Sequence, residues 1–376
     1  MTSAAHSEAL VSPLHDRHVA LGAKLGDFGG WLMPLEYPGG GVVEEHRAVR
    51  ERVGLFDVSH LGKFTVRGPG ARALIDLILT NDTQRIAPGR AQYSMLCNEA
   101  GGVVDDLYLY VNGDDDVFVI PNASNASTVV AAVSAAAPAA VEVTNRHRDF
   151  AIIAVQGPRS AGLLDAVGLP SSMKFTSFLV ADWGGVPVQV CRTGYSGEHG
   201  YEIVLPADTA AQLWDNLLEL GQPFGVLPCG LGARDTLRTE MGYPLHGQDL
   251  SPSITPIQAG TIWAVGWQKP AFIGRAALIA ELEAGPTRRA WGLLALDRGI
   301  PRAHMQVRRP SDAEPLGGEI VGEVTSGTFS PTLKVGIGLA LLDAAVTEGD
   351  DVVIDVRGRA SLARVVKPPF VSSNPR

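Results

Sequence analysis

The stretch Tyr93-Ser94-Met95-Leu96-Cys97-Asn98-Glu99-Ala100-Gly101-Gly102-Val103-Val104-Asp105-Asp106-Leu107-Tyr108-Leu109-Tyr110-Val111 decides the fold class of this chain. We predict paired strands over residues 93–96 and 103–111, because the two glycines between them are a hairpin turn signal. Further short strands, such as residues 151–155, alternate with segments of helical period, such as residues 212–220. This mixture predicts an α+β protein.

The N-terminal region contains two further predicted helices. Residues 13–27 carry apolar side chains on one broad helical face, which predicts the first helix. Glycines and prolines predict a loop over residues 29–34, and residues 42–53 have the pattern of the second helix.

The C-terminal part of the chain differs in pattern from the rest. A chain of 376 residues exceeds what one hydrophobic core usually organises, so two or three domains are expected. Gly285-Pro286 interrupts the mixed pattern, and short strands between turns follow it. We predict a separate all-β, barrel-like domain of about 90 residues there.

Composition limits the classes of function. The formal net charge of −9 argues against general nucleic-acid binding. Three widely separated cysteines, Cys97, Cys191 and Cys229, indicate reduced thiols. Residues 1–12 lack the features of a signal peptide, and no segment approaches the roughly 20 apolar residues that span a bilayer. We therefore expect a cytoplasmic protein with no nucleic-acid or membrane partner.

The acidic pair Asp105-Asp106 has two interpretations. It can be a solvated pair near a turn, which is the usual role of such residues. Its apolar flanks favour the alternative, because a carboxylate among apolar residues is costly to bury and marks candidate sites. Adjacent strand residues point to opposite faces, so at most one of the two is expected to face a given site.

Two glycine-containing segments are candidates for ligand binding. Residues 192–202 form either a simple hairpin turn or a loop whose glycines let the backbone approach a ligand. Residues 230–238 open a helix on which Arg234 and Arg238 share one face, ordinarily a solvated basic face. Glu202 and Arg234 could together bind a planar polar ligand.

His15 and His18 lack a third ligand, so we expect no metal site.

Taken together, several motifs closely resemble the T-protein of the glycine cleavage system. They occur in order along essentially the whole chain. The motifs are residues 29–35 (GGWLMPL), 53–60 (VGLFDVSH), 101–107 (GGVVDDL), 192–202 (RTGYSGEHGYE), 230–238 (GLGARDTLR), 325–332 (TSGTFSPT) and 367–370 (KPPF).

The resemblance implies an aminomethyltransferase. Such an enzyme takes the aminomethyl group on the lipoyl arm of H-protein and transfers its one-carbon unit to the co-substrate tetrahydrofolate. The products are 5,10-methylenetetrahydrofolate, ammonia and dihydrolipoyl H-protein. P-protein and L-protein of the same system are the implied functional partners.

The resemblance also implies three domains in a cloverleaf-like arrangement around a central folate channel. The expected first domain comprises residues 1–65 and 148–252, and the second comprises residues 66–147 and 253–284. Residues 285–376 are the expected C-terminal β-barrel domain.

Matching positions imply the roles of individual residues. The essential aspartate is Asp106, and the folate-binding pair is Glu202, for the pterin, and Arg234. Two positions depart from the family pattern, with His199 in place of aspartate and Leu61 in place of methionine. Other matches line the folate site, namely Tyr93, Tyr110, Asn122 and Tyr195.

Two rival functions belong to proteins that share these motifs. A folate-dependent demethylation module is usually joined to a large flavin-binding part, which this sequence lacks. A folate-binding assembly factor for iron–sulfur proteins is disfavoured by Asp106 and by the intact motif over residues 192–202.

Overall fold

Strands outnumber helices in the computed structural model, which describes residues 9–375. The described helices are α1 (His15–Ala20), α2 (Gly41–Glu51), α3 (Ala71–Ile78), α4 (Ala126–Ala136), α5 (Ser160–Ala166), α6 (Ala210–Leu220), α7 (Leu231–Met241) and α8 (Arg275–Ala284). Within this part of the chain, none of the helices has the length and apolar character needed to cross a bilayer.

The strands are short and distributed along the whole described chain. They are β1 (Leu10–Val11), β2 (Lys24–Phe28), β3 (Trp31–Glu36), β4 (Val53–Asp57), β5 (Phe64–Arg67), β6 (Arg90–Cys97), β7 (Val103–Gly113), β8 (Asp116–Pro121), β9 (Glu142–Asn145), β10 (Phe150–Gln156), β11 (Phe178–Trp183), β12 (Val186–Cys191), β13 (Gly200–Pro206), β14 (Val226–Pro228), β15 (Arg288–Ala295), β16 (Gln306–Arg308), β17 (Ile320–Ser330), β18 (Val335–Asp343), β19 (Asp351–Val356) and β20 (Arg359–Val366). The predicted α+β class is confirmed.

The predicted hairpin is present as β6 and β7, which pair antiparallel. Gly101 has a φ of +85°, a conformation that glycine adopts without steric cost. Gly102 has no room for a side chain, because a Cβ there would overlap the carbonyl oxygen of Pro252. A register shift between Leu96 and Cys97 places a bulge just before the acidic pair.

Two predictions for the N-terminal region are wrong. The helix predicted over residues 13–27 ends at Ala20, and β2 occupies its second half. Gly22 adopts a φ of +70°, which a continuing helix does not allow. The predicted loop over residues 29–34 is largely strand β3. Gly29 and Gly30 both have positive φ, and they form the two-residue turn between β2 and β3.

The chain divides into two compact units. The first comprises the chain up to Lys63 together with Arg146–Gly194 and Glu198–Arg234, and the second comprises the rest of the described chain. The three predicted domain ranges stay a prediction.

The first unit contains two sheets. One has the order β1-β3-β2, and the other has the order β11-β12-β13-β10-β4-β14. The apolar faces of the central strands β4, β10 and β13 bury Leu55, Ile153 and Ile203, and α6 adds Trp214 and Leu217 to the same core. Burying each such side chain contributes about 1.5–3 kcal/mol. This core therefore fixes β13, on which the glycine-rich segment (residues 192–202) ends.

The second unit contains a five-stranded sheet and a closed barrel. The sheet has the order β6-β7-β8-β5-β9, and α3 and α4 bury Ile75 and Val129 against it. The barrel has the order β15-β18-β17-β16-β19-β20, and its interior is filled by side chains such as Leu293, Val324 and Ile354. The barrel predicted for the C-terminal region is therefore confirmed.

Candidate active site

Asp106 lies on β7 in the second unit, where two neighbouring strands supply its hydrogen-bond donors. The Tyr93 hydroxyl on β6 donates to Asp106 Oδ2 at 3.0 Å, and Asn122 Nδ2 donates to Asp106 Oδ1 at 2.9 Å. Tyr93 pairs with Tyr108, so it is a diagonal neighbour of Asp106. Asn122 follows the last residue of β8, whose partner on β7 is Leu107. The sheet register therefore positions both donors.

Asp105 is also part of this hydrogen-bonded cluster. Its carboxylate is fully buried and accepts hydrogen bonds from the backbone N–H of Asn122 (3.0 Å), Asn122 Nδ2 (2.9 Å) and Asn125 Nδ2 (2.7 Å). Asn122 Nδ2 thus contacts both carboxylates. The side chains still alternate in exposure, since Asp105 is fully buried and Asp106 is half-buried, but the Asn122 amide lies beyond the end of its strand and reaches both. The expectation that at most one of the pair faces a given site stays a prediction.

Burial controls the protonation of the pair. Burial, and then the negative charge of Asp106, raises the pKa of Asp105 to about 8. Burial also raises the pKa of Asp106, although the hydrogen bond from Tyr93 opposes this. Burial and the nearby charge of Asp106 raise the pKa of Tyr93 well above its usual range. The pair therefore resists carrying two charges at neutral pH.

Folding stability is expected to fall with rising pH through Asp105. Its pKa is 3.8 in the unfolded reference and about 8 in the folded state. Between these values the folded state keeps a proton that the unfolded state has lost. This contribution is full below 3.8 and is lost as the pH rises through about 8. Urea unfolding as a function of pH should show a smaller loss in Asp105→Asn than in the parent chain; equal losses would contradict the assignment.

Two aromatic rings pack against Tyr93, those of Tyr108 and Trp263. Its ring stacks on Trp263 at a centroid distance of 5.2 Å, and Trp263 is 63 % exposed. The predicted residue Tyr110 is buried further along β7, packed near the ring of Tyr108 at 6.4 Å. Tyr195 packs near Tyr243, also in the second unit, at 5.8 Å. An exposed ring that stacks on the tyrosine bonded to a half-buried carboxyl group is an arrangement that suits a flat, partly polar ligand.

Glu202 lies on β13 in the first unit. The Thr193 hydroxyl donates to Glu202 Oε2 at 2.5 Å. Gln156 braces the glycine-rich segment by donating to the backbone oxygens of Thr193 and Tyr201. A Cβ at Gly194 would overlap the Gln156 amide. The absence of a side chain at Gly194 therefore lets Gln156 pack against the segment and hold the residues next to Glu202 in place.

Arg234 is half-buried in the first turn of α7. Its positive charge affects the pKa of His60 in the same unit. Burial lowers the pKa of His60 to about 3, and the charge of Arg234 contributes in the same direction. His60 is therefore neutral at physiological pH. Because His60 is neutral, it adds no positive charge to that of Arg234.

Arg238 is a structural residue, so the prediction that it shares a solvated face with Arg234 is wrong. Its side chain is 2 % exposed. It donates to Asp249 Oδ2 at 2.8 Å and to the Ser326 hydroxyl at 2.9 Å, on β17 of the barrel. The helical period gave the spacing of the two arginines, but packing against the barrel buried the second one.

Asn125 and His246 belong to the Asp105–Asp106 cluster and were not predicted from the sequence. Asn125 Nδ2 lies 3.0 Å from His246 Nδ1. The repeat of asparagine at positions 122 and 125, just before α4, was the available signal for Asn125. Nothing in the sequence around His246 pointed to the cluster.

His18 has a packing role in the first unit. It is fully buried, with Nε2 2.8 Å from Asp57 Oδ2 and Nδ1 2.8 Å from the Tyr37 hydroxyl. Among residues 9–375, no group of three or more histidine, cysteine or acidic residues is placed to hold a metal ion.

Comparison with protein families matches both parts of the chain. The model of the GCVT N-terminal domain matches residues 14–269. The model of the glycine cleavage T-protein C-terminal barrel domain matches residues 288–372. The two matches thus place this chain, with its carboxyl cluster, in a class of α+β enzymes that have a C-terminal barrel domain.

Individual relatives agree with the family models. The chain is 60 % identical to an aminomethyltransferase of Parafrankia sp., covering 97 % of this chain and 98 % of that protein. It is 54 % identical to an aminomethyltransferase of Mycobacterium tuberculosis, covering 98 % and 99 %. The crystal structure of glycine cleavage system aminomethyltransferase T from Bartonella henselae matches with a TM-score of 0.89, at 35 % identity over 96 % of this chain and 98 % of that one. The chain belongs to the glycine cleavage T-protein family and is an aminomethyltransferase of the glycine cleavage system.

Proposed function

We propose that this enzyme transfers the one-carbon unit of the aminomethyl group on lipoylated H-protein to tetrahydrofolate. The products are 5,10-methylenetetrahydrofolate, ammonia and dihydrolipoyl H-protein. The observation that carries the proposal is the half-buried carboxyl group of Asp106, held by Tyr93 and Asn122 beside an exposed aromatic ring. P-protein and L-protein are the proposed functional partners, and the cytoplasm is the proposed location.

Asp106 acts on the reacting atoms in this proposal. The reaction joins a nucleophilic folate amine to an iminium-like carbon while ammonia leaves. An ionised carboxylate at Asp106 orients the folate nitrogens and stabilises the cationic carbon. The same carboxyl group is also placed to move a proton during the release of ammonia. The donors from Tyr93 and Asn122 hold its oxygens in one orientation throughout.

Glu202 and Arg234 bind folate in this proposal. The Glu202 carboxylate accepts hydrogen bonds from the N–H edge of the pterin, and Arg234 donates to a neighbouring oxygen or to the glutamate of folate. The hydrogen bond from Thr193 supports this role of Glu202, because it restricts the carboxylate to one orientation. Tyr110 and Tyr195 are proposed, from their matching positions, as further folate-binding residues.

Loss of either charged group is expected to weaken folate binding. Glu202→Ala and Arg234→Ala should each raise the folate dissociation constant about tenfold to a hundredfold, as expected for hydrogen bonds to charged groups worth ~1.5–3 kcal/mol. The turnover number at saturating folate should change much less. Isothermal titration calorimetry and steady-state kinetics measure the two effects. The matched control is Glu219→Ala, at an exposed position on α6; unchanged affinity in both site variants would refute the roles.

The direct test of the proposed function is turnover of a loaded carrier. The purified enzyme is mixed with aminomethyl-loaded H-protein and tetrahydrofolate, and ammonia release is followed. We expect stoichiometric ammonia, methylenetetrahydrofolate and dihydrolipoyl H-protein. Absence of folate-dependent ammonia release would reject the function.

A further inference from the structure

A continuous chain of hydrogen bonds lies behind Asp106. Asn122 Nδ2 contacts Asp106 Oδ1 and Asp105 Oδ1, each at 2.9 Å. Asn125 Nδ2 donates to the same oxygen of Asp105 at 2.7 Å, and it lies 3.0 Å from His246 Nδ1. The chain therefore runs from the proposed catalytic carboxyl group to a histidine that is distant in sequence.

The direction of each bond follows from the chemistry of the atoms. His246 Nε2 lies 3.2 Å from the carbonyl oxygen of Val103, so this nitrogen carries the hydrogen. His246 Nδ1 is then the acceptor for Asn125, whose other amide hydrogen goes to Asp105. With Nδ1 as acceptor, the imidazole fixes the amide of Asn125 with its nitrogen toward Asp105.

The side-chain amide of Asn122 has fewer hydrogens than acceptors within reach. Asn122 Nδ2 has two hydrogens but lies within 2.9 Å of three acceptors, namely Asp105 Oδ1, Asp106 Oδ1 and the backbone oxygen of Asp106. Two ionised carboxylates sharing one amide would also repel each other at low dielectric. A single proton on the pair removes the second charge and adds one donor.

Burial decides which member of the pair carries that proton. Asp105 has no exposed surface, whereas Asp106 is half-buried. A charge is disfavoured more strongly at the fully buried position. The proton therefore belongs on Asp105, which leaves the negative charge on Asp106.

We infer that Asp105 is a positioning residue for the transfer reaction: it holds one proton next to Asp106 and so keeps Asp106 as the single anion of the site. This inference rests on the proposed function of Asp106. The groups that face the pair are the Tyr93 hydroxyl, the two asparagine amides and the imidazole of His246. When Asp105 loses its proton at high pH, the second negative charge repels that of Asp106 and kcat falls. This fall is the alkaline limb of the kcat–pH profile.

Two substitutions at Asp105 test this role. Asp105→Ala removes the donor, and it should lower kcat about tenfold or more while leaving the folate KM within a factor of ~3. Asp105→Asn has a similar shape and an N–H donor but cannot ionise, and its amide nitrogen replaces one oxygen that accepts from Asn122 or Asn125. It should recover part of the kcat that alanine loses at neutral pH, and it should abolish the alkaline limb of the kcat–pH profile. Asp116→Asn, at the partly exposed start of β8, is the matched control and should keep the parent profile.

The outcomes separate this inference from the proposed function. An alkaline limb that is unchanged in Asp105→Asn, or equal losses of kcat in the asparagine and alanine variants, overturns the inference while the role of Asp106 stands. Near-normal turnover in Asp106→Asn overturns the proposed role of Asp106 itself. Infrared spectroscopy of the parent enzyme keeps the test independent of variant folding. A protonated carboxyl band at neutral pH that disappears at alkaline pH supports the inference, and absence of that band overturns it.

Discussion

Asp106→Asn is expected to lower turnover of aminomethyl-loaded H-protein by about a thousandfold, which corresponds to ~4 kcal/mol of transition-state stabilisation. The substitution keeps the size of the side chain but removes its negative charge. In the proposed mechanism, the developing cation at the transferred carbon then loses the carboxylate that stabilises it. One of the two donors, Tyr93 or Asn122, also meets an N–H in place of an oxygen acceptor.

The binding of folate should respond much less than turnover. In the proposal, Glu202 and Arg234 provide the charged contacts to folate, so the dissociation constant in Asp106→Asn should stay within about threefold of the parent value. Single-turnover ammonia release and calorimetric titration of tetrahydrofolate measure the two quantities. Asp116→Asn serves as the control for removing a carboxylate from the same sheet. Turnover within tenfold of the parent enzyme would remove Asp106 from its catalytic role.

Arg238→Met is expected to destabilise the protein by about 3–5 kcal/mol, the usual result of breaking a buried ion pair from one side. Asp249 is 8 % exposed and bonds Arg238 at 2.8 Å. Without the arginine, its charge stays buried, supported only by neutral donors such as Thr325 and Ser326. Methionine fills similar volume, so the loss reflects the charge rather than a cavity.

The control for Arg238 is an exposed pair in the same unit. Arg67 lies 3.3 Å from Asp116, with the two side chains 55 % and 35 % exposed. Arg67→Met should change the free energy of unfolding by less than about 1 kcal/mol. Urea denaturation followed by circular dichroism measures both variants. A loss as small in Arg238→Met as in Arg67→Met would show that the buried pair contributes little.

Much of the fold followed from local sequence pattern. Alternation and turn glycines located β6 and β7, and the change of pattern after Gly285 located the barrel. The N-terminal errors had a local cause, since the apolar residues between 13 and 27 suit a helical face as well as a helix followed by a strand. A single glycine with positive φ decided between the two.

The candidate site was predictable only in part. The family motifs predict Asp106, Glu202 and Arg234 as site residues, and their roles stay predictions. Asn122 was also chosen by motif, but its simultaneous contact with both aspartates depends on where β8 ends. The pKa of Asp105 could not be anticipated, because it is set by burial under elements distant in sequence.

The sequence by itself determined the α+β class, the C-terminal barrel and membership of the family, because these depend on local periodicity and on motifs in fixed order. The tertiary structure alone decided that Arg238 is buried and that Asp105 belongs with Asp106. It also brought His246 to Asn125, 121 residues earlier in the chain. The physical reason is that periodicity specifies which face of a strand or helix a side chain occupies, whereas burial and hydrogen-bond partners depend on which distant segment packs against that face.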